Sequence, residues 1–319
     1  MRATSKGLPL LIGLLLLWAA AGHAFYRIDR NHDADAYRLL AELIEHKAAL
    51  ARAVDGPRVI IAGGSNAYYG LDAEAIQRQI GAPVVNVALP FGAHHPQIAL
   101  DLLENQVRSG DIVVFSSASV WDPPRPPTRR AREFDAYLDA VGVEGYQRKF
   151  SEPAVPWRAL PETGPLLLAA ADGFDAGHGR SWVEDTDAHG TFTACTDAPV
   201  VMPRHFGKDT VDLELAAALR QAATRLEIEG ISFLISLPWL YIRESDRERW
   251  QAFARHFVGQ LQPTVPIVAS APSMLLHSRR SEFCDSPLHL SDDASARRSR
   301  LLANALKPYV DRQSGRDGQ

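Results

Sequence analysis

The sequence predicts a three-layer α/β/α sandwich built on a parallel sheet of about five strands. Three observations predict it. Short apolar runs recur without polar alternation, as in strands buried on both faces. Amphipathic segments of helical period separate them. The chain is also long and apolar enough for a large core, with 319 residues of which 46% are hydrophobic.

The elements follow in order. Residues 34–54 carry helical spacing (Tyr37, Leu40, Leu43, Ile44, Leu50) and predict a helix leading into the domain. Val59-Ile60-Ile61-Ala62 reads as the first strand. Leu71 to Ile80 reads as a helix, with Asp72 as N-cap and Gly81 as stop. Val84 to Ala88 is the second strand, Gln97 to Val107 a helix closed by Gly110, and Ile112 to Phe115 the third strand. The rhythm resumes with a helix from Val211 to Leu226 and a strand from Ser232 to Leu237. Ser245-Asp-Arg-Glu248 has the capping-box pattern and opens a helix to about Leu261. Ile267 to Ala269 is the fifth strand, and Ser291 caps a final helix through about Leu306, leaving 311–319 as a disordered tail.

Between Trp121 and Asp209 the α/β rhythm breaks into Pro-, Gly- and charge-rich sequence. A long irregular insertion in a compact domain is usually functional or disordered; 121–209 is read as an ordered cap beside the active edge of a domain spanning 58–310. The four arginines at 125, 129, 130 and 132 read as a solvated basic loop.

The N-terminus stands apart. Arg2 and Lys6 precede an apolar run from Leu8 to Ala21 and the small-residue exit Gly22-His23-Ala24, the layout of a secretory signal. The run is shorter than the ~20 residues a spanning helix prefers, so cleavage after residue 24 and retention as a membrane anchor stand side by side, with 25–57 as a helical lead-in. Either implies export to a periplasmic or other extracytoplasmic compartment. There, the only two cysteines, Cys195 and Cys284, are expected to pair. That bridge closes a loop of about ninety residues, for which chain entropy gives roughly 4–5 kcal/mol at best. A net charge of -4 argues against nucleic acid as a partner. Asp185, Asp187 and His189 lie in loop-like sequence with no evident fourth ligand, so no metal site is assigned, and no cofactor is expected.

The chemistry-bearing residues lie at the two ends of the chain. In RVIIAGGSNAYY, residues 58–69, Ser65 sits on a glycine turn directly after an apolar strand. In Asp285-Ser-Pro-Leu-His289, a carboxylate and an imidazole stand just before the last helix. A serine oxygen needs a base beside it, and that base needs a third group to orient it. Ligands of such sheets bind outside the carboxyl ends of the strands, where Ser65, Gly92, Asp285 and His289 are all expected to meet.

Gly63-Gly64-Ser65-Asn66 after the first strand, Val84-Val85-Asn86 leading to Gly92, and Asp285-Ser-Pro-Leu-His289-Leu before the last helix resemble the SGNH (GDSL-like) hydrolase superfamily. Its exported branch related to alginate-type polysaccharide O-acetyltransferases is the nearer likeness. The resemblance covers roughly 58–120 and 210–307 and implies a flavodoxin-like fold. It implies Ser65 as nucleophile, His289 as its base and Asp285 as the group orienting His289. The backbone N–H groups of Ser65 and Gly92 resemble the family's oxyanion donors. Asn66 and His94 are expected to line the substrate groove.

Two departures from the family pattern stand out. Three residues rather than two separate Asp285 from His289. The Gly-x-Asn-Asp block expected after the third strand is replaced by Phe115-Ser116-Ser117-Ala118-Ser119, which leaves a hydroxyl such as that of Ser117 as the substitute donor or the enzyme specialised, slow or inactive. Losing one oxyanion donor costs ~3–4 kcal/mol of transition-state stabilisation. The resemblance, with membrane tethering, implies O-acetyl transfer to an exported polysaccharide or cell-envelope glycan, with acyl groups delivered by a membrane partner. An esterase using the same serine and a non-catalytic carbohydrate-binding relative are the alternatives.

Overall fold

The structure, a computed structural model, describes residues 42–89, 103, 106–121, 186–192, 213–261, 264–269, 271–284 and 286–315. The chain divides into two compact units, Met1–Glu42 with Leu138–Ser181, and Leu43–Tyr137 with Trp182–Gln319. All that follows concerns the second.

Its centre is a parallel sheet of β1 (Val59–Gly63), β2 (Val84–Asn86), β3 (Ile112–Ser116), β4 (Ser232–Ser236) and β6 (Ile267–Val268), in the order β2-β1-β3-β4-β6. Every pairing between them is parallel. The strands lack alternation because both faces are covered. Ile60, Ala62, Val113, Phe115, Phe233 and Ile235 join one cluster with Leu219, Leu226, Phe253 and Phe257 of two helices, 213–228 and 247–261. Their neighbours Val59, Ile61, Ile112 and Val114 point to the opposite face and are equally buried. The helices Ala73–Ile80 and Asp292–Ser314 pack on each other and reach β2 and β6 respectively. The expected three-layer sandwich is thus observed.

Local chemistry sets the ends of the elements. The Asp72 carboxylate accepts the Ala75 N–H at 2.8 Å, and Gly81 closes that helix with φ 74°, where a side chain is disfavoured. Ser291 does occupy the N-cap of the final helix, but its side chain makes no capping bond there. That helix runs to Ser314, beyond the expected end near Leu306 and into the segment expected to be a disordered tail. Pro308 does not stop it, since the buried stripe continues through Leu306 to Val310. The capping-box serine at 245 lies inside a 3-10 turn, Glu244–Asp246, and the α-helix starts at Arg247.

A second, two-stranded parallel sheet was not legible in the sequence. It pairs β5 (Leu240–Tyr241) with β7 (Leu276–His277). A helix over 42–53 corresponds to the end of the predicted lead-in, and it buries Leu43, Lys47 and Ala51 along one face. The apolar run 8–21, the predicted helix over most of 97–107, the arginines at 125–132 and most of the insertion lie outside the described residues. No helix among the described residues is long and apolar enough to cross a membrane.

Candidate functional site: a serine turn at the switch point of the sheet

β2 lies on one side of β1, and β3, β4 and β6 lie on the other. The connections therefore reverse direction beside β1, and the crevice between the carboxyl ends of β1 and β3 is the topological switch point where open α/β sheets bind ligands. Gly63 and Ser116, the last residues of β1 and β3, are register partners there.

Gly63 makes the turn after β1 possible. Its φ is 138°, and a Cβ at this position would lie 1.7 Å from the Ser116 carbonyl oxygen. Only glycine fits. Gly64 donates its N–H to the same oxygen at 3.1 Å. The chain then enters a short helix, Ser65–Tyr68, capped by Gly64. Ala67 and Tyr68 donate to the Gly64 carbonyl at 2.9 and 3.1 Å, and Tyr69 donates to the Ser65 carbonyl at 2.8 Å. Among the described residues, nothing accepts from the N–H of Ser65 or of Asn66. These are the first donors of a helical turn, the ones left open to an incoming anion. Ser65 itself is 9% exposed.

His289 comes to this turn from the far end of the chain. Its loop is closed by Cys284 N–H donating to His289 O at 2.9 Å and by an antiparallel bridge between Phe283 and Leu290. Inside the loop, Ser286 Oγ accepts the N–H groups of Leu288 and His289 at 3.2 and 3.1 Å. Tyr241 donates its N–H to Pro287 O at 2.8 Å, which ties the loop to β5. So anchored, the imidazole lies 4.3 Å from the Tyr69 ring, centroid to centroid. Tyr69 is one helical turn beyond Ser65. The two ends of the chain therefore meet through Tyr69, without a side-chain hydrogen bond from Ser65 among the described residues. Catalytic hydrogen bonds are often long in unliganded enzymes and tighten with substrate.

Asp285, Gly92, His94 and Cys195 lie outside the described residues. Cys284 is buried. Ser117 is buried immediately after β3, at the switch-point edge. Asn66 differs from expectation. It is fully buried, and its Nδ2 donates to Ser116 Oγ at 2.8 Å, so it braces the turn from behind rather than facing a groove. Asn86 is a second brace. Its Nδ2 donates to Ala67 O and Leu71 O at 3.1 and 3.2 Å, while its Oδ1 accepts the Ala88 N–H at 3.0 Å.

Two buried basic residues near the turn escaped the sequence reading. Lys47 donates to Asn86 O at 2.9 Å and Gly190 O at 2.7 Å, and its ammonium lies 4.5 Å from the Tyr68 ring centroid. Burial holds its pKa well below the usual lysine range, against the pull of the Asp187 charge. Arg298, from the final helix, donates to Asn66 O at 2.9 Å, to Ser116 Oγ at 2.8 Å and more weakly to Leu237 O at 3.5 Å. Burial pushes its pKa down to about 9, which leaves it charged at neutral pH. A signal for both existed: each is a basic residue within the apolar stripe of its helix.

Of the long insertion, 186–192 forms a tight turn against β2. Asp187 Oδ1 accepts the N–H groups of His189 and Thr191 at 2.9 and 2.8 Å, so one oxygen of this carboxylate is engaged in shaping its own loop. No group of three metal-ligating side chains occurs among the described residues. Phe192 closes the turn against Tyr68 and Tyr69, at centroid distances of 5.0 and 4.7 Å.

Fold and site together define an open, doubly wound α/β protein with a serine turn at its switch point. No family model matches the chain, and no curated protein does. Among solved structures it is similar to a Streptococcus pneumonia protein provisionally named a platelet activating factor. The identity is 12%, over 97% of this chain and 100% of the other, at a TM-score of 0.38. A likeness that distant carries no functional argument.

Proposed function

We propose that this protein is a serine-dependent acyltransferase of SGNH type, acting on an exported polysaccharide or cell-envelope glycan. The observation that carries the reading is the approach of His289 to the Ser65 turn through Tyr69. A serine after β1 and a histidine before the last helix, more than two hundred residues apart, arrive at one edge of the sheet.

In this reading His289 takes the hydroxyl proton as Ser65 Oγ attacks the acyl carbonyl carbon. The carbonyl oxygen becomes an oxyanion, which the Ser65 N–H stabilises with Gly92 and Ser117 as further donors. Collapse expels the alcohol, which leaves with the proton from His289, and Ser65 is left acylated. A sugar hydroxyl then attacks the acyl group while His289 accepts its proton, and Ser65 Oγ is reprotonated as it leaves. Asp285 orients the imidazole throughout. Water in place of the sugar gives an esterase by the same steps. Export, with the N-terminal segment either cleaved or kept as an anchor, a membrane acyl donor and a Cys195–Cys284 bridge belong to this proposal.

The test uses purified protein, a chromogenic acetyl ester and oligosaccharide acceptors, with mass spectrometry of the products. Acetylated oligosaccharide is expected, together with phosphonate labelling of Ser65 and loss of both in Ser65→Ala. Acetate alone would favour the esterase. Labelling elsewhere, or full turnover by Ser65→Ala, would refute the serine mechanism.

A further inference from the structure

Arg298 is 3% exposed, and among the described residues its hydrogen-bond partners are all neutral oxygens. Its Nε has no hydrogen-bond partner among the described residues. A buried ion is ordinarily compensated by an opposite charge, because desolvation alone is costly. Neutral amide donors would satisfy Asn66 O and Ser116 Oγ without that cost. The fold instead keeps a cation directly behind the residue that follows Ser65.

We infer that Arg298 is a positioning residue whose positive charge, held beneath the serine turn and facing no opposite charge among the described residues, is answered when negative charge forms on the reacting carbonyl oxygen. The inference rests on the acyl-transfer reading and adds a residue to it. Arg298 touches no substrate. It acts through the groups it holds: the Asn66 carbonyl, one residue past the nucleophile, and the Ser116 hydroxyl, at the end of the strand that flanks the crevice. A guanidinium so placed stabilises an anion more than a neutral ground state, since it needs no reorganisation when the charge appears. Its effect therefore falls on kcat rather than on KM.

The experiment compares the full chain with Arg298→Met, close in length and uncharged, and Arg298→Lys, which keeps the charge. The readings are kcat and KM for an acetyl ester, affinity for phenylboronic acid, whose serine adduct is anionic, and thermal unfolding. Arg298→Met is expected to lose at least about tenfold in kcat and in boronate affinity, with KM within about twofold and no loss of thermal stability. Arg298→Lys is expected to recover most of both. A kcat for Arg298→Met within twofold of the parent would overturn the inference alone. So would a loss that lysine does not restore, the mark of a purely structural contact. If Arg298→Met does not fold, Arg298→Lys decides: boronate affinity within about fivefold supports the charge role, and a folded protein that loses more refutes it. A parent protein that neither turns over ester nor binds boronate would sink the acyl-transfer reading and this inference together.

Discussion

The imidazole of His289 is tilted 37° against the ring of Tyr69, with their centroids 4.3 Å apart. Tyr69 also meets Phe192 edge-on at 4.7 Å, so the segment 186–192 buttresses the ring that buttresses the histidine.

Tyr69→Ala should therefore loosen the base without removing it. A misplacement of the order of 1 Å costs roughly 100-fold, so a fall in kcat of about 10- to 100-fold is expected, with little change in the unfolding midpoint. Tyr69→Phe keeps the ring and should stay close to the parent. Steady-state kinetics of the two variants check this; equal losses in both would show that the hydroxyl, not the ring face, matters.

Gly63→Ala should be severe. The new methyl would occupy the space of the Ser116 carbonyl at a backbone φ of 138°, so both strain and clash oppose it. A loss of about 3 kcal/mol or more is expected from denaturant titration. A variant as stable as the parent would mean that β1 and β3 do not meet at Gly63 and Ser116 as described.

Lys47 makes stability depend on pH in a definite direction. Its folded pKa is lowered, chiefly by burial, so between that value and the ordinary lysine value the unfolded chain binds more protons than the folded one. Stability then rises with pH across this window and is lowest where the buried ammonium must stay charged. Urea titrations between roughly pH 8 and 10 should show unfolding free energy increasing more steeply in the parent than in Lys47→Met. Parallel lines for the two proteins would place the slope elsewhere, for instance on Arg298.

Cys284 is buried at the start of the loop that presents His289, where a bridge would anchor that loop. Peptide mapping without reductant should link it to Cys195, the chain's other cysteine. Reduction should lower activity before it unfolds the sheet, because it releases the loop rather than the core. Two alkylatable thiols in protein produced in an oxidising compartment would end this idea.

Strand and helix identity were legible because burial on both faces leaves a simple mark, a run such as Val59–Ala62 with no polar alternation. Cap positions were legible where residue type decides them, Asp72 through its carboxylate and Gly81 through its lack of a Cβ. Ser291 kept its place without its bond, and the last helix outruns its expected end because its buried stripe continues to Val310. The β5–β7 sheet was hidden because strands of two residues carry no period.

The sequence alone determined the layered fold, the glycine turn carrying Ser65 and the chain order that brings His289 to the same edge, because periodicity and turn chemistry are local. Only the tertiary structure decided which side chains stand behind that turn. Asn66 faces inward to Ser116, Tyr69 supports His289, and Arg298 arrives from a helix 232 residues later in the chain. Such contacts depend on how distant segments pack against one another, and no local pattern records them.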